Sequence, residues 1–172
     1  NSEIIKRSNI QFAFVDETGI TKDPNQQYMG VGALLLHQHE LVINQKLREV
    51  FLSATNKFSS VEEMFEFKFK YVTRNSLLFY RQIIDILAVH GADWQFVYSF
   101  IKRTGESFWE QYLSLIETLL LPEAYSYILL ADHLNKPHKA VRSLDYLIES
   151  MPVAKVLQLE SQGTMFLQVS DI

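Results

Sequence analysis

The chain has 172 residues, 48% of them hydrophobic and 21% charged, with a formal net charge of -4. That much apolar sequence excludes a disordered chain and is enough for one sizeable core, so a single domain over 1–172 is expected. The absence of cysteine excludes disulfides and thiolate metal sites and fits a reducing cytoplasm, and the acidic balance argues against a protein that coats nucleic acid through bulk positive charge.

Residues 1–9 are a polar lead-in. Ile10, Phe12, Phe14 and Val15 predict a first strand that leaves the core at Asp16 and Glu17, with Gly19 supplying the turn. Thr18–Gln27 is rich in turn residues, and Tyr28–Leu36 reads as a second strand, antiparallel to the first. Apolar residues from Leu41 to Leu52 recur at near-helical spacing and predict a helix over Glu40–Thr55. Phe65, Phe67 and Phe69 then alternate with Glu66, Lys68 and Lys70, the pattern of a short strand or extended segment. A helix follows over Ser76–His90, capped by Thr73 or Asn75 and ended by Gly91.

Trp94–Ile101 predicts another strand, and Glu106–Leu121 an amphipathic helix stopped near Pro122. Tyr125–Ala131 is a nearly continuous apolar run of the kind found inside parallel sheets. Pro137 is placed to open a helix that reaches Ser150, Val153–Leu159 reads as a fifth clear strand, and Gly163–Ile172 begins a last helix that is cut off just after Asp171. No apolar run reaches the length of a bilayer span, so no membrane partner is expected. The order implies an α/β fold with a mixed sheet flanked by helices.

Four acids stand in or beside strongly hydrophobic sequence: Asp16, Glu66, Asp132 and Asp171. An unpaired carboxylate is costly to bury there, which suggests convergence on a shared cation. Two divalent ions bridged by carboxylates, about 3.5–4 Å apart, activate water and stabilise the leaving oxygen in phosphodiester hydrolysis. Hard ions such as Mg²⁺ or Mn²⁺ take oxygen ligands, so aspartate and glutamate suit them. Asp16 and Asp132, at the ends of two predicted strands, are the natural centre of such a site.

The runs Phe14-Val15-Asp16-Glu17-Thr18-Gly19, Glu66-Phe67-Lys68, Leu130-Ala131-Asp132 and Leu167-Gln168-Val169-Ser170-Asp171-Ile172 together resemble the domain-of-unknown-function family numbered 3800. The resemblance spans roughly the whole chain, with Thr18, Phe67 and Val169-Ser170 as small departures that remove no acid. It implies a ribonuclease-H-like fold with a mixed five-stranded sheet. It also implies a nuclease or related phosphotransfer enzyme that uses two Mg²⁺ or Mn²⁺ ions, in a phage-defence or mobile-element setting. By position it puts Asp16, Glu66, Asp132 and Asp171 in the metal-ligand roles. Lys68 lies two residues from Glu66 on the same side of an extended segment, placed to neutralise the acids or meet a scissile phosphate. Gln168, about one helical turn before Asp171, is placed to bond substrate or metal water. Glu17 alternates away from Asp16 and serves either the substrate or the turn itself.

Each feature has a plainer explanation. Asp16-Glu17 before Gly19 is also an ordinary turn, Glu66 and Lys68 an exposed pair, Asp132 a helix cap, and Asp171 a surface residue. His133 and His138 flank Asp132, but loop histidines are mostly solvated, as are His37 and His39. Lys136, Lys139 and Arg142 recur at helical spacing beside Asp132, either as a phosphate-binding face or as a solvated one. Phe100, Phe108, Trp109 and Tyr112 are candidates for base stacking, although core packing explains them better. No phosphate loop, serine-hydrolase elbow or zinc-protease motif is present. The expected activity is thus two-metal cleavage of DNA or RNA. The alternative is a binding or scaffold subunit that keeps the fold without turnover, with a protein partner or a second copy.

Overall fold

The computed structural model describes residues 10–19, 26–37, 40–58, 67–68, 71–104, 107–120, 126–151, 153–160 and 164–170. In chain order these form β1 (Ile10–Thr18), β2 (Tyr28–Leu36), α1 (Glu40–Phe58), α2 (Leu77–Val89), β3 (Trp94–Lys102), α3 (Phe108–Leu120), β4 (Ser126–Asp132), α4 (Tyr146–Ser150), β5 (Val153–Leu159) and α5 (Met165–Ser170). The strands make one five-stranded sheet in the order β3-β2-β1-β4-β5. β1 and β2 pair antiparallel, as do β2 and β3, whereas β1–β4 and β4–β5 are parallel. The expected mixed α/β sheet is therefore present, with β1 in its centre.

Successive side chains of a strand face opposite sides, so β1 feeds two cores. Ala13 and Val15 join Val31, Ala33, Leu129 and Ala131 beneath Trp109, Tyr112 and Ile116 of α3. Phe14 joins Leu34 on the other face, under Ile43 and Leu47 of α1, Ile83 of α2 and Phe166 of α5. A fully buried side chain of this size contributes about 1.5–3 kcal/mol. Helices cover both faces, which is why the central strands carry little polar sequence before their ends.

β1 runs further than its apolar sequence predicts. Asp16, Glu17 and Thr18 remain in the ladder, opposite Gly32, Val31 and Gly30 of β2. The strand therefore carries its acids as strand residues and turns only afterwards, at Gly19. Gly19 has φ +78, and a Cβ there would fall 2.3 Å from the Tyr28 carbonyl oxygen. Gly19→Ala is expected to cost about 2 kcal/mol, because the left-handed conformation and the clash add. The urea midpoint measures this, and an unchanged midpoint would show that the turn relaxes freely.

Ser76, rather than Thr73 or Asn75, stands at the N-cap of α2 and makes no side-chain cap bond. Thr73 bonds it reciprocally: Thr73 Oγ1 accepts the Ser76 N–H at 3.2 Å and Ser76 Oγ accepts the Thr73 N–H at 2.9 Å. Of the segment expected to alternate around Glu66, only Phe67 and Lys68 are described, and neither lies in a strand.

The helix expected from Pro137 to Ser150 is a correction: only α4, Tyr146–Ser150, is helical. Residues 133–145 form turns and irregular backbone held to α3 by side chains. Trp109 Nε1–H donates to the Arg142 carbonyl at 2.9 Å, and Arg142 Nε–H donates to Glu110 Oε2 at 2.7 Å. The Arg142 guanidinium also lies over the Tyr146 ring, 4.8 Å from its centroid. These tertiary bonds outweigh a local helical preference. Among the described residues no helix is long and apolar enough to cross a membrane.

Candidate metal centre at the ends of the first and fourth strands

β1 and β4 run parallel in the register Phe14–Leu130 and Val15–Ala131. Asp16 and Asp132 follow that last pair by one residue on each strand. Val15 and Ala131 point into the core under α3. Alternation therefore turns Asp16 and Asp132 to the opposite face, the one covered by α1, α2 and α5. Neighbouring strands lie about 4.8 Å apart, so the register sets the two carboxylates side by side. Both residues are half-buried.

The two acids are held alike. Asp16 Oδ1 accepts the Glu17 backbone N–H at 2.9 Å, and Asp132 Oδ1 accepts the His133 backbone N–H at 2.7 Å. Each bond fixes one carboxylate oxygen on its own strand end. Among the described residues no basic side chain lies within ion-pair distance of Asp132. Two adjacent carboxylates repel unless a cation lies between them, and a donor set made of oxygen suits Mg²⁺ or Mn²⁺.

Glu17 faces the other way, as the alternation predicts. It shares the side of Val15 and Tyr112, and Tyr112 is fully buried there. The Tyr112 hydroxyl has no hydrogen-bond partner among the described residues. Burial above all, then the charges of Glu17, Asp16 and Asp132, pushes its phenol well above the usual tyrosine range. The folded pKa is raised above the unfolded value, so this stability is complete below about pH 10 and is lost as pH rises through the folded pKa. Tyr112→Phe is therefore expected to lose less stability than the wild type between pH 9 and pH 11 in paired urea titrations. Equal losses would show that the folded protein does not raise this phenol. Tyr112 carries no signal of this role in the sequence, because its partners come from two other strands.

Glu66 and Asp171 lie outside the described residues, and among the described residues no group of three or more ligating side chains is assembled. Their described neighbours are nevertheless anchored on the face of Asp16 and Asp132. Phe67 is fully buried among Phe14, Leu47, Ile83 and Phe166. Its N–H donates to Gln168 Oε1 at 2.9 Å. Gln168 is itself buried in α5, so its expected contact with substrate or metal water is corrected: it ties the 67–68 segment to α5. Lys68 is half-buried, with its backbone clamped by Tyr80, whose hydroxyl donates to the Lys68 carbonyl at 2.8 Å and accepts its N–H at 3.2 Å.

The expected basic face beside Asp132 is not formed, since the helix that would align it is absent. Lys136 Nζ donates to the Ala140 carbonyl at 2.8 Å, Lys139 is exposed in a turn, and Arg142 is committed to Glu110. His133 and His138 are exposed, as the solvated reading has it, with His133 Nδ1 4.0 Å from Glu160 Oε1. Trp109 and Tyr112 are buried, whereas Phe100 is 57% exposed, which corrects its assignment to the core.

No family model matches the chain, and no curated protein matches it. Among solved structures it is similar to a chain of the PCNA:RNase HII complex from Archaeoglobus fulgidus, at 10% identity and a TM-score of 0.52, over 93% of this chain and 68% of that one. At that identity the likeness concerns the fold. With the β3-β2-β1-β4-β5 sheet flanked by helices, it gives the chain a ribonuclease-H-like α/β fold.

Proposed function

We propose that the chain is a divalent-metal nuclease that hydrolyses phosphodiester bonds in DNA or RNA, of the kind its resemblance to the 3800 family implies. The observation that carries this reading is the pair Asp16 and Asp132, side by side on neighbouring parallel strands and each fixed by the next backbone N–H. A pair of hard cations bound there would supply an activated water and charge neutralisation at the leaving oxygen.

The chain's own residues have simpler tasks. Asp16 and Asp132 hold negative charge in fixed positions on strand ends. Glu66 and Asp171 complete the oxygen set, each carried by a segment that the Phe67–Gln168 bond joins. Lys68, beside Phe67, offers a cation to the substrate phosphate. A place in phage defence or mobile-element biology belongs to the same proposal.

The test is cleavage of labelled single- and double-stranded DNA and RNA with Mg²⁺, with Mn²⁺ and with EDTA. Cleavage that requires the cation and disappears in Asp16→Asn supports the reading. Retained activity in that variant, or none in the wild type with any cation, overturns it in favour of a scaffold without turnover.

A further inference from the structure

β3 is an edge strand whose two sides differ. Val97 and Ile101 pack against the core under α3. Phe96, Tyr98 and Phe100 point to the opposite side, the side of Asp16, and are 48%, 62% and 57% exposed. Among the described residues, helix cover on that side reaches only Trp94, whose indole N–H donates to the Leu87 carbonyl at the end of α2, at 2.7 Å. Beyond Trp94 no described helix covers the sheet face.

The rings lie on a backbone of glycine. Gly32 pairs with Tyr98 and Gly30 with Phe100. A Cβ on Gly32 would come within 2.8 Å of the Phe96 ring, so that ring rests where the side chain would stand. Tyr98 and Phe100 stack with centroids 5.6 Å apart and planes 16° apart, and Tyr28, 50% exposed, meets Phe100 edge-on at 6.1 Å. Exposed Lys102 pairs across from Tyr28 at the outer end, followed by Arg103. The register joins this surface to the acids: Asp16 is opposite Gly32, and Gly32 is opposite Tyr98. Acid and tyrosine thus share one face, two strand spacings or about 10 Å apart, with the Phe96 ring between.

We propose that this face is a stacking platform for single-stranded nucleic acid, which it leads to Asp16 and Asp132. Flat exposed rings accept the faces of unpaired bases whatever their sequence, whereas a duplex keeps those faces hidden. Lys102, on the same face as the rings, complements the phosphates of the strand, which the acidic chain as a whole does not. The inference takes its class of ligand from the nuclease reading, yet binding can be measured with no cleavage.

The experiment is fluorescence anisotropy of labelled oligo-dT and oligo-U of about 12 nucleotides, a length within the usual site size, titrated with the full chain in EDTA. The wild type is expected to bind, and Tyr98→Ala/Phe100→Ala to bind at least tenfold more weakly. Circular dichroism of the double variant should match the wild type, since both rings lie on the surface. Equal binding by the double variant, or no binding by the wild type, overturns the platform. A dimer in sedimentation that the double variant dissolves also overturns it, and assigns the face to a second copy paired along the β3 edge. Binding that needs the rings, in a protein that cleaves nothing with Mn²⁺, would keep the platform and remove the nuclease.

Discussion

Asp16→Asn is expected to lower cation-dependent cleavage by about a thousandfold or more. Asparagine keeps the shape of the side chain and an oxygen for the Glu17 N–H, so the strand end survives. What it loses is a charge that no neighbour replaces in cation binding, an effect of several kcal/mol on a transition state that develops negative charge. Cation binding should also appear as stability. At 100 times its dissociation constant a ligand that binds only the folded state adds about 2.7 kcal/mol, roughly 5–11 °C in a chain of this length. The wild type should show that rise with Mn²⁺ and the variant should not. An equal Mn²⁺ shift in both proteins would sink the assignment of Asp16.

Gln168→Ala should have the largest effect on stability, about 3 kcal/mol. Gln168 and Phe67 are both buried, so the change leaves the Phe67 N–H without its acceptor and opens a cavity in the same place. That corresponds to roughly 6–12 °C in the thermal midpoint. Gln168→Met, close in volume but with no amide acceptor, isolates the hydrogen bond and should cost about 1–2 kcal/mol. Because Phe67 follows Glu66 and Gln168 precedes Asp171, both variants should also bind Mn²⁺ more weakly at a temperature where they remain folded. If Gln168→Met neither melts lower nor weakens Mn²⁺ binding, the bond does not hold the two segments in place.

The elements were legible wherever the pattern was local and strong. Tyr28–Leu36 and Val153–Leu159 have the bounds that their apolar runs predict, and the near-helical spacing of Ile43, Leu47 and Val50 marks α1. Local signals failed at residues 133–145. There Pro137 and the spacing of Lys136, Lys139 and Arg142 suggest a helix, but bonds from Trp109 and Glu110, far away in sequence, hold another backbone. The exposure of Phe100 has the same cause. An aromatic in an alternating strand looks like core until one knows how far the covering helices reach. The F-x-Y-x-F alternation of Phe96, Tyr98 and Phe100 opposite Gly30 and Gly32 was the available signal.

The sequence by itself determined the α/β class and the order of strands and helices, and it singles out the acids proposed to meet a cation. Those follow from side-chain alternation and from the cost of leaving carboxylates in apolar sequence, both of which act between near neighbours. Tertiary structure alone decided that Asp16 stands beside Asp132, that Glu17 turns to Tyr112, and that Gln168 bonds Phe67. It also decided that three aromatic rings of β3 lie open beside the acids. Each of these depends on which strand pairs with which and on where a helix stops, and pairing energy is gained only between segments that are distant along the chain.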